Sequence, residues 1–324
     1  MKLAVSKEVF LSNKKNKQKF IHMLENELQM NGCSVFHEKA DADYSIVQKT
    51  IQYTDTQAAV LVGDDTDLLI LLLYHAGNLG HKVYFAPEPK KNSKSRVWDI
   101  SEIQMKLGPY LCNQMLYIHA MLGCDTTSRF HGIGKGALLK KIRSSETLQQ
   151  SAKVFDSPRS TKIDIEKAGE SAIVELYGGK RTDTLNHLRH KKFCEKAATN
   201  ITRIEPQTLP PTSAAAKYHS FRVFYQIVQW KGSPVELLPE EWGWLVTENG
   251  IHPTPTDIAA APDSLLKVIR CSCKTDCKSQ RCSCRKHDLK CTLACTHCCG
   301  TDCQNASLTP LQEDEPDEDD PLEV

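Results

Sequence analysis

Ala58-Ala59-Val60-Leu61-Val62 runs without a polar break into Gly63-Asp64-Asp65-Thr66-Asp67. An apolar run of this length, closed by glycine and an acidic loop, reads as a buried parallel strand. Leu68 to His75 then predicts a helix and Val83 to Phe85 the next strand. Upstream, Phe20, Ile21, Leu24 and Leu28 recur at helical spacing, and Gly32 stops that helix. Ser34 to Phe36 predicts a short strand, and Asp41 can cap a helix through about Ile51 with Ile46 and Val47 facing in. Downstream, Ile100 to Leu107 and Tyr110 to Leu122 predict helices. Strands alternating with helices over about 140 residues imply an α/β domain, a parallel sheet with helices on its faces.

This α/β domain is expected over residues 1–145 and a polar helical extension over 146–205, with Ile163 to Tyr177 and Leu185 to Ala198 as its best segments. Residues 206–265 form a connecting region: a loop at Pro206 to Pro211, a helix at Phe221 to Trp230, and Trp242 and Trp244 as packing anchors around Gly243. Pro253, Pro255 and Pro262 mark a linker into a cysteine-rich domain at 266–306. The tail, 307–324, is acidic from Glu313 to Glu323 and is expected to be disordered. With 40% hydrophobic residues a core can be buried, and a net charge of +1 means that any nucleic-acid surface must be a local patch. Met1 to Phe20 lacks a secretory pattern, and the longest apolar run, around Leu68 to Tyr74, is too short to span a bilayer. A nuclear location is expected, with the cytoplasm as the alternative, and the sequons at Asn200 and Asn305 then carry no weight. Lys90, Lys91, Lys94 and Arg96 form a basic loop that reads as a nuclear-localisation patch, a backbone contact or a solvated loop.

Of 14 cysteines, ten fall between Cys271 and Cys303. Cys33, Cys112, Cys124 and Cys194 stand apart and read as small buried apolar residues. The ten are Cys271, Cys273, Cys277, Cys282, Cys284, Cys291, Cys295, Cys298, Cys299 and Cys303. Such clustering without a signal peptide argues for metal rather than disulfides. Zinc takes four ligands, and nine thiolates serve about three ions if three of them bridge. The tenth is then one of Cys298 and Cys299. Neighbouring side chains in each C-x-C pair splay apart and can reach different ions. Lys274, Lys278, Arg281, Arg285, Lys286 and Lys290, with Arg270 just before, interleave the thiols against Asp276 and Asp288. Each of these cations can neutralise a phosphate. The stretch resembles the tesmin-type CXC domain, a zinc-thiolate cluster that binds DNA, over about 35 residues. Members of that family often carry a tyrosine before the second C-x-C, where it enters the minor groove; Arg281 stands there instead, and an arginine also reads a narrow minor groove. Many members have two repeats, and this chain has one.

A second constellation is acidic. Asp41 and Asp43 sit at a predicted helix start, Asp65 and Asp67 follow the apolar strand, and Asp125 precedes the turn Gly132-Ile133-Gly134-Lys135-Gly136-Ala137. Carboxylates beyond the C-terminal ends of parallel strands are placed for Mg²⁺ or Mn²⁺, and paired ions can clamp a phosphodiester. Glycines allow close approach to a phosphate backbone, with Lys135, Lys140 and Lys141 adding charge. In order and spacing this resembles the flap-endonuclease/PIN-like family of 5′ nucleases over about residues 20–145. The resemblance implies Asp41, Asp43, Asp65, Asp67 and Asp125 as metal ligands and Gly132, Gly134, Lys135 and Gly136 as a DNA clamp. It also implies a first strand ending in an aspartate, which Met1 to Lys19 does not offer. The whole arrangement, with Leu209-Pro210-Pro211-Thr212 and Trp242-Gly243-Trp244, resembles uncharacterised animal proteins associated with transposable elements.

Three functions remain open on these grounds. The first is a zinc-dependent nucleic-acid-binding protein, for DNA over RNA, with a weakened or inactive nuclease domain. The second is an active metal-dependent structure-specific nuclease, and the third a scaffold that binds protein. His119 and His131 read as packing or surface residues, His75 and His81 flank a loop with no matching ligands, and His287, inside the cysteine cluster, reads as phosphate-facing or without a role.

Overall fold

The computed structural model describes residues 6–38, 41–77, 79–88, 96–199, 204, 206–248, 250–256, 271–274, 276–286, 289–291, 295–300 and 303–306. The acidic tail, Pro262, Lys90, Lys91, Lys94, Asn200, Arg270, His287 and Asp288 lie outside the described residues. The fold is mixed α/β, mostly helical with a small sheet, and divides into two compact units.

The first unit comprises Met1–Arg129, Gly134–Thr161 and Arg222–Trp242. Helices α1 (Lys7–Ser12) and α2 (Lys14–Met30) open it, capped by Ser6 and Asn13, and neither buries a residue. α3 (Asp43–Tyr53) leads to β1 (Ala59–Val62), α4 (Thr66–His75) and β2 (Val83–Ala86). β1 and β2 pair in parallel, Ala59 opposite Val83 through Val62 opposite Ala86, so the decisive stretch forms the strand–helix–strand unit that its pattern predicts. β3 (Trp98–Asp99) adds antiparallel to β2, with the Phe85 and Trp98 rings stacked at 5.8 Å. The sheet is therefore three strands in the order β1-β2-β3, mixed rather than all parallel.

α5 (Ile100–Leu107), capped by Asp99, and α6 (Pro109–Leu122) follow, with proline at the first position of α6, where its missing N–H costs nothing. α6 buries nearly its whole length and packs on α4, α5, α7 (Lys135–Lys141) and α8 (Glu146–Asp156). The core of the unit is Leu71, Leu72, Ile100, Leu116, Met121, Leu138, Ile142, Leu148 and Phe155, all fully buried. Gly123 ends α6 at φ 103°, and a Cβ there would lie 2.4 Å from Arg129 Cγ, so only glycine fits this turn.

Other expectations fail here. Of the isolated cysteines Cys112 is buried as expected, but Cys33 and Cys194 are exposed. Ser34 to Phe36 forms no strand. β1 is not buried on both faces: Leu61 is covered, but Val60 and Val62 are 54% and 59% exposed, because β1 is the outer strand and one face of it is open. In α3 Val47 is buried while Ile46 is 39% exposed, so one residue of the pair faces in. Phe20, Leu24 and Leu28 lie on the expected helix, yet they too stand exposed.

The second unit comprises Phe130–Ile133, Lys162–Phe221 and Gly243–Val324. α9 (Lys162–Leu176) and α10 (Leu185–Thr199) pair around Ile165, Ala172, Ile173, Leu185 and Leu188, as the helical extension predicts. Glu170 accepts from the Leu185 N–H at 2.8 Å and the Ser213 hydroxyl at 2.9 Å, tying the starts of two helices to α9. The predicted helix at Phe221 begins earlier, as α11 (Ser213–Trp230), whose second half belongs to the first unit. There Phe224 packs on Trp242 at 4.6 Å, so Trp242 is the anchor its sequence position suggests. β4 (Trp244–Thr247) and β5 (Gly250–Pro253) form an antiparallel hairpin.

Candidate metal centre

The thiols converge. Cys271, Cys277, Cys282, Cys284, Cys291, Cys295 and Cys298 are buried together, with Cys273, Cys303 and Leu289 packed against them. The short helix α12 (Ser283–Lys286) carries Cys284 inward between exposed Ser283 and half-buried Arg285. Cys271 Sγ lies 3.6 Å from Cys277, and 3.8 Å from both Cys291 and Cys298. Cys282 is 3.9 Å from Cys291, and Cys284 is 3.5 Å from Cys295. A tetrahedron with Zn–S bonds of about 2.3 Å has sulfur–sulfur edges of about 3.8 Å. A disulfide needs about 2.05 Å, and all the cysteines are free. The donor set therefore fits zinc.

Three overlapping quartets of thiols lie within ligand reach of one another: Cys271/Cys273/Cys277/Cys282, Cys271/Cys284/Cys291/Cys295 and Cys271/Cys277/Cys291/Cys298. Cys271 belongs to all three. The choice between adjacent cysteines resolves toward Cys298, which is buried, whereas Cys299 is exposed with φ 46°.

Burial pushes the Cys271, Cys277 and Cys291 thiols well up. Burial also acts upward on Cys282, but the Arg285 backbone N–H and the thiols of Cys271, Cys291 and Cys277 outweigh it and bring it to about 7. Cys298 falls to about 7 in the same way, through the Gly300 N–H and Cys303. Thiolates packed this closely in a dry environment repel one another, and a divalent cation relieves that repulsion.

Polar contacts close the knot. The Cys291 N–H donates to the Asn305 carbonyl at 2.8 Å, and the Asn305 amide donates to the Leu289 carbonyl at 2.8 Å. Thr296 N–H donates to Cys271 O and Gln304 N–H to Asp276 O, both at 3.0 Å. Asn305 is 6% exposed, so the position that reads as an idle sequon is the residue that ties residues 303–306 to Leu289 and Cys291. Around the knot Lys274, Lys278, Arg281, Lys286 and Lys290 are exposed. Lys278 pairs with Asp276 at 2.7 Å, and Arg285 donates to the carbonyls of Cys277 and Gln304 at 2.9 and 3.2 Å. Arg285 thus braces the backbone of the knot.

The aspartates share a neighbourhood without forming a tight set. Asp43 begins α3, Asp65 caps α4 by accepting the Asp67 N–H at 2.9 Å, and Asp41 accepts the Asp43 N–H at 3.2 Å. Burial, then the charges of Asp41, Asp65, Asp67 and Asp125, push the Asp43 carboxyl up to about 7. Asp67 is buried, and His119 Nε2 donates to it at 2.5 Å. Lys135 Nζ in turn donates to His119 Nδ1 at 2.8 Å, and burial holds this lysine below its ordinary value while Asp67 opposes the shift. His119 is therefore neither idle packing nor a surface residue. It sits beneath Trp230, ring centroids 5.7 Å apart, as one polar side chain in the buried helix α6. A histidine inside the run Met115 to Leu122 is the signal that sequence reading passed over.

Among the described residues, no three of the five aspartates bring ligand oxygens together as the thiols do. As arranged, with Asp67 bound to His119, they do not fit a Mg²⁺ or Mn²⁺ site. Gly132 takes φ 74°, and at Gly132, Gly134 and Gly136 a Cβ would meet nothing within 4 Å, so this turn presents open backbone. His75 and His81 bond to the carbonyls of Trp230 and Thr54 at 2.7 and 2.9 Å, away from the acidic group.

The chain matches no protein-family model, no curated protein and no solved structure.

Proposed function

We propose that this chain is a zinc-dependent nucleic-acid-binding protein, with DNA lying against the cationic shell of the thiolate knot. The observation that carries this reading is the sulfur spacing of 3.5 to 3.9 Å beneath exposed Lys274, Lys278, Arg281, Lys286 and Lys290. The spacing fits about three shared Zn²⁺ ions, each of which would neutralise and fix the thiols. With the knot held rigid, the lysines can be set against successive phosphates. A nuclear location and an association with transposable elements belong to the same proposal.

The α/β unit keeps the order of acidic motifs that resembles PIN-like nucleases but no longer cuts. Support for this comes from Asp67, which accepts from His119, and from Lys135, which supplies a positive charge where a cation would be needed. A metal-dependent 5′ nuclease is the second reading, favoured by the raising of Asp43 through burial first and then through the charges of Asp41, Asp65, Asp67 and Asp125.

The test uses the full chain with labelled duplex, flap and hairpin DNA. Fluorescence anisotropy before and after zinc chelation should show binding that is lost with the metal and restored by Zn²⁺. Binding indifferent to chelation would remove the knot from the interface. Cleavage in Mg²⁺ or Mn²⁺ that disappears in Asp65→Asn/Asp125→Asn would favour the second reading.

A further inference from the structure

We propose that α2 and the loop behind it carry a separate metal site of histidine–carboxylate type, made by His22, Glu25 and His37. The three side chains bring one ligand atom each to within 4.8 Å of one another. His22 Nδ1 and Glu25 Oε2 are 3.2 Å apart, close to the edge of about 3.3 Å in a tetrahedron with bonds of about 2.0–2.1 Å. The sequence builds this locally. His22 and Glu25 are three apart and share a face of α2. Gly32 takes φ 80°, and the Cys33 N–H returns to the Leu28 carbonyl at 3.0 Å, turning the chain back along the helix. His37 then meets His22 edge to face, ring centroids 5.7 Å apart at 81°.

Gln18, one turn before His22, reaches both rings: its Nε2 is 3.3 Å from His22 Nε2 and 3.4 Å from His37 Nε2. When His22 gives Nδ1 to an ion, its Nε2 carries the proton. The Gln18 amide, turned over, then accepts with its oxygen and holds the ring in place. Two imidazoles and one carboxylate suit Zn²⁺ and its neighbours Co²⁺ and Ni²⁺, rather than Mg²⁺ or Ca²⁺, and leave a fourth position for water. The site also meets a structural need. α1 and α2 bury no residue, so apolar packing does little to fix residues 33–38 against α2, and a shared ion would cross-link them.

The test takes the full chain with its thiolate knot loaded with zinc and excess metal removed, then titrates ZnCl₂ by calorimetry. One further equivalent should bind, and more weakly on acidification, because imidazole ligands must be neutral. His22→Ala and His37→Ala should each abolish that equivalent while the zinc of the knot is retained. Gln18→Ala should weaken it roughly tenfold, as loss of an orienting partner does. On the wild-type chain, added Co²⁺ should broaden the ring signals of His22 and His37 and give weak visible bands without sulfur charge transfer. No further equivalent, an equivalent that survives both histidine substitutions, or Co²⁺ broadening at other histidines instead, each overturns the proposal.

Discussion

Cys271 is the thiol whose loss should damage the knot most, and Cys299 the one whose loss should matter least. Cys271 stands in all three ligand quartets, is buried, and has three sulfur neighbours within 3.8 Å. Cys299 stands in none of the quartets and is exposed. A serine hydroxyl stays protonated at neutral pH and is a poor zinc ligand, so Cys271→Ser leaves every quartet one donor short. A structural zinc ion contributes roughly 10–16 kcal/mol, or about 2.5–4 kcal/mol for each of four ligands if shared evenly. That corresponds to a loss of roughly a hundred-fold to several hundred-fold in affinity at each affected ion. Competition with a chromophoric chelator, together with elemental analysis of the purified chains, measures both midpoint and stoichiometry. Cys271→Ser should lose at least one ion and release the others at far lower chelator concentration. Cys299→Ser should match the parent in both readouts. If Cys271→Ser kept the parent's zinc content and midpoint, the shared-thiol arrangement would be wrong. If Cys299→Ser lost zinc, the assignment of Cys298 over Cys299 would fall with it.

If DNA contacts the exposed Lys274, Lys278, Arg281, Lys286 and Lys290, log affinity should fall with log salt at a slope of about −4, or roughly a few hundred-fold between 50 and 200 mM. Lys290→Ala should reduce that slope by about 0.9, and a slope near −1, or one indifferent to the substitution, speaks against the surface. His119→Ala strands the buried Asp67 carboxylate and should destabilise the first unit by about 3 kcal/mol in urea unfolding; a loss under about 1 kcal/mol would mean that Asp67 finds another partner. Asp43, raised from 3.8 to about 7, holds a proton in the folded chain that the unfolded chain has already lost, so its contribution to stability falls as pH rises from about 4 to about 7. Asp43→Asn should flatten that part of the stability curve, and a variant whose melting temperature tracks the parent across the window would show that the shift is absent.

The periodic pattern predicted elements well where local physics decides them. β1, α4 and β2 follow from one apolar run, a capping aspartate and a second short apolar run, and the parallel register follows from the helix between the strands. Burial was less legible. Val60 and Val62 alternate with nothing polar, and no residue in the run says that β1 is an outer strand with an open face. Ser34 to Phe36 has the residue types of a strand but no partner strand, and instead packs around a cation, with Lys49 Nζ 4.8 Å from the Phe36 ring. At the site, cysteine spacing predicted the knot but could not choose between two adjacent cysteines, because the choice rests on the backbone turn at Cys299. Asn305 and His119 were passed over for one reason: each works through contacts to residues distant in sequence, Leu289 and Cys291 in one case and Asp67 and Lys135 in the other.

The two clusters show opposite answers to one electrostatic problem. Like groups gathered in a low-dielectric setting must be neutralised, either by protons, by side chains of opposite charge or by an ion. Around the aspartates the chain carries its own answer: Lys135 reaches His119, His119 reaches Asp67, and Asp43 retains its proton to near neutrality. In the knot, among the described residues, no side-chain cation is set against the sulfurs. The partly buried guanidinium of Arg285 donates to backbone carbonyls rather than to sulfur, and Lys278 turns to Asp276. The thiols are therefore left either protonated, at sulfur spacings that suit a tetrahedral ion, or ionised around one. A cation binding there exchanges thiol protons for Zn–S bonds at spacings already suited to it, whereas a cation entering the aspartate group must first displace Lys135 and break the bond from His119 to Asp67. The same reasoning explains why zinc dependence is expected of residues 271–306 while the α/β unit should keep its fold through chelation.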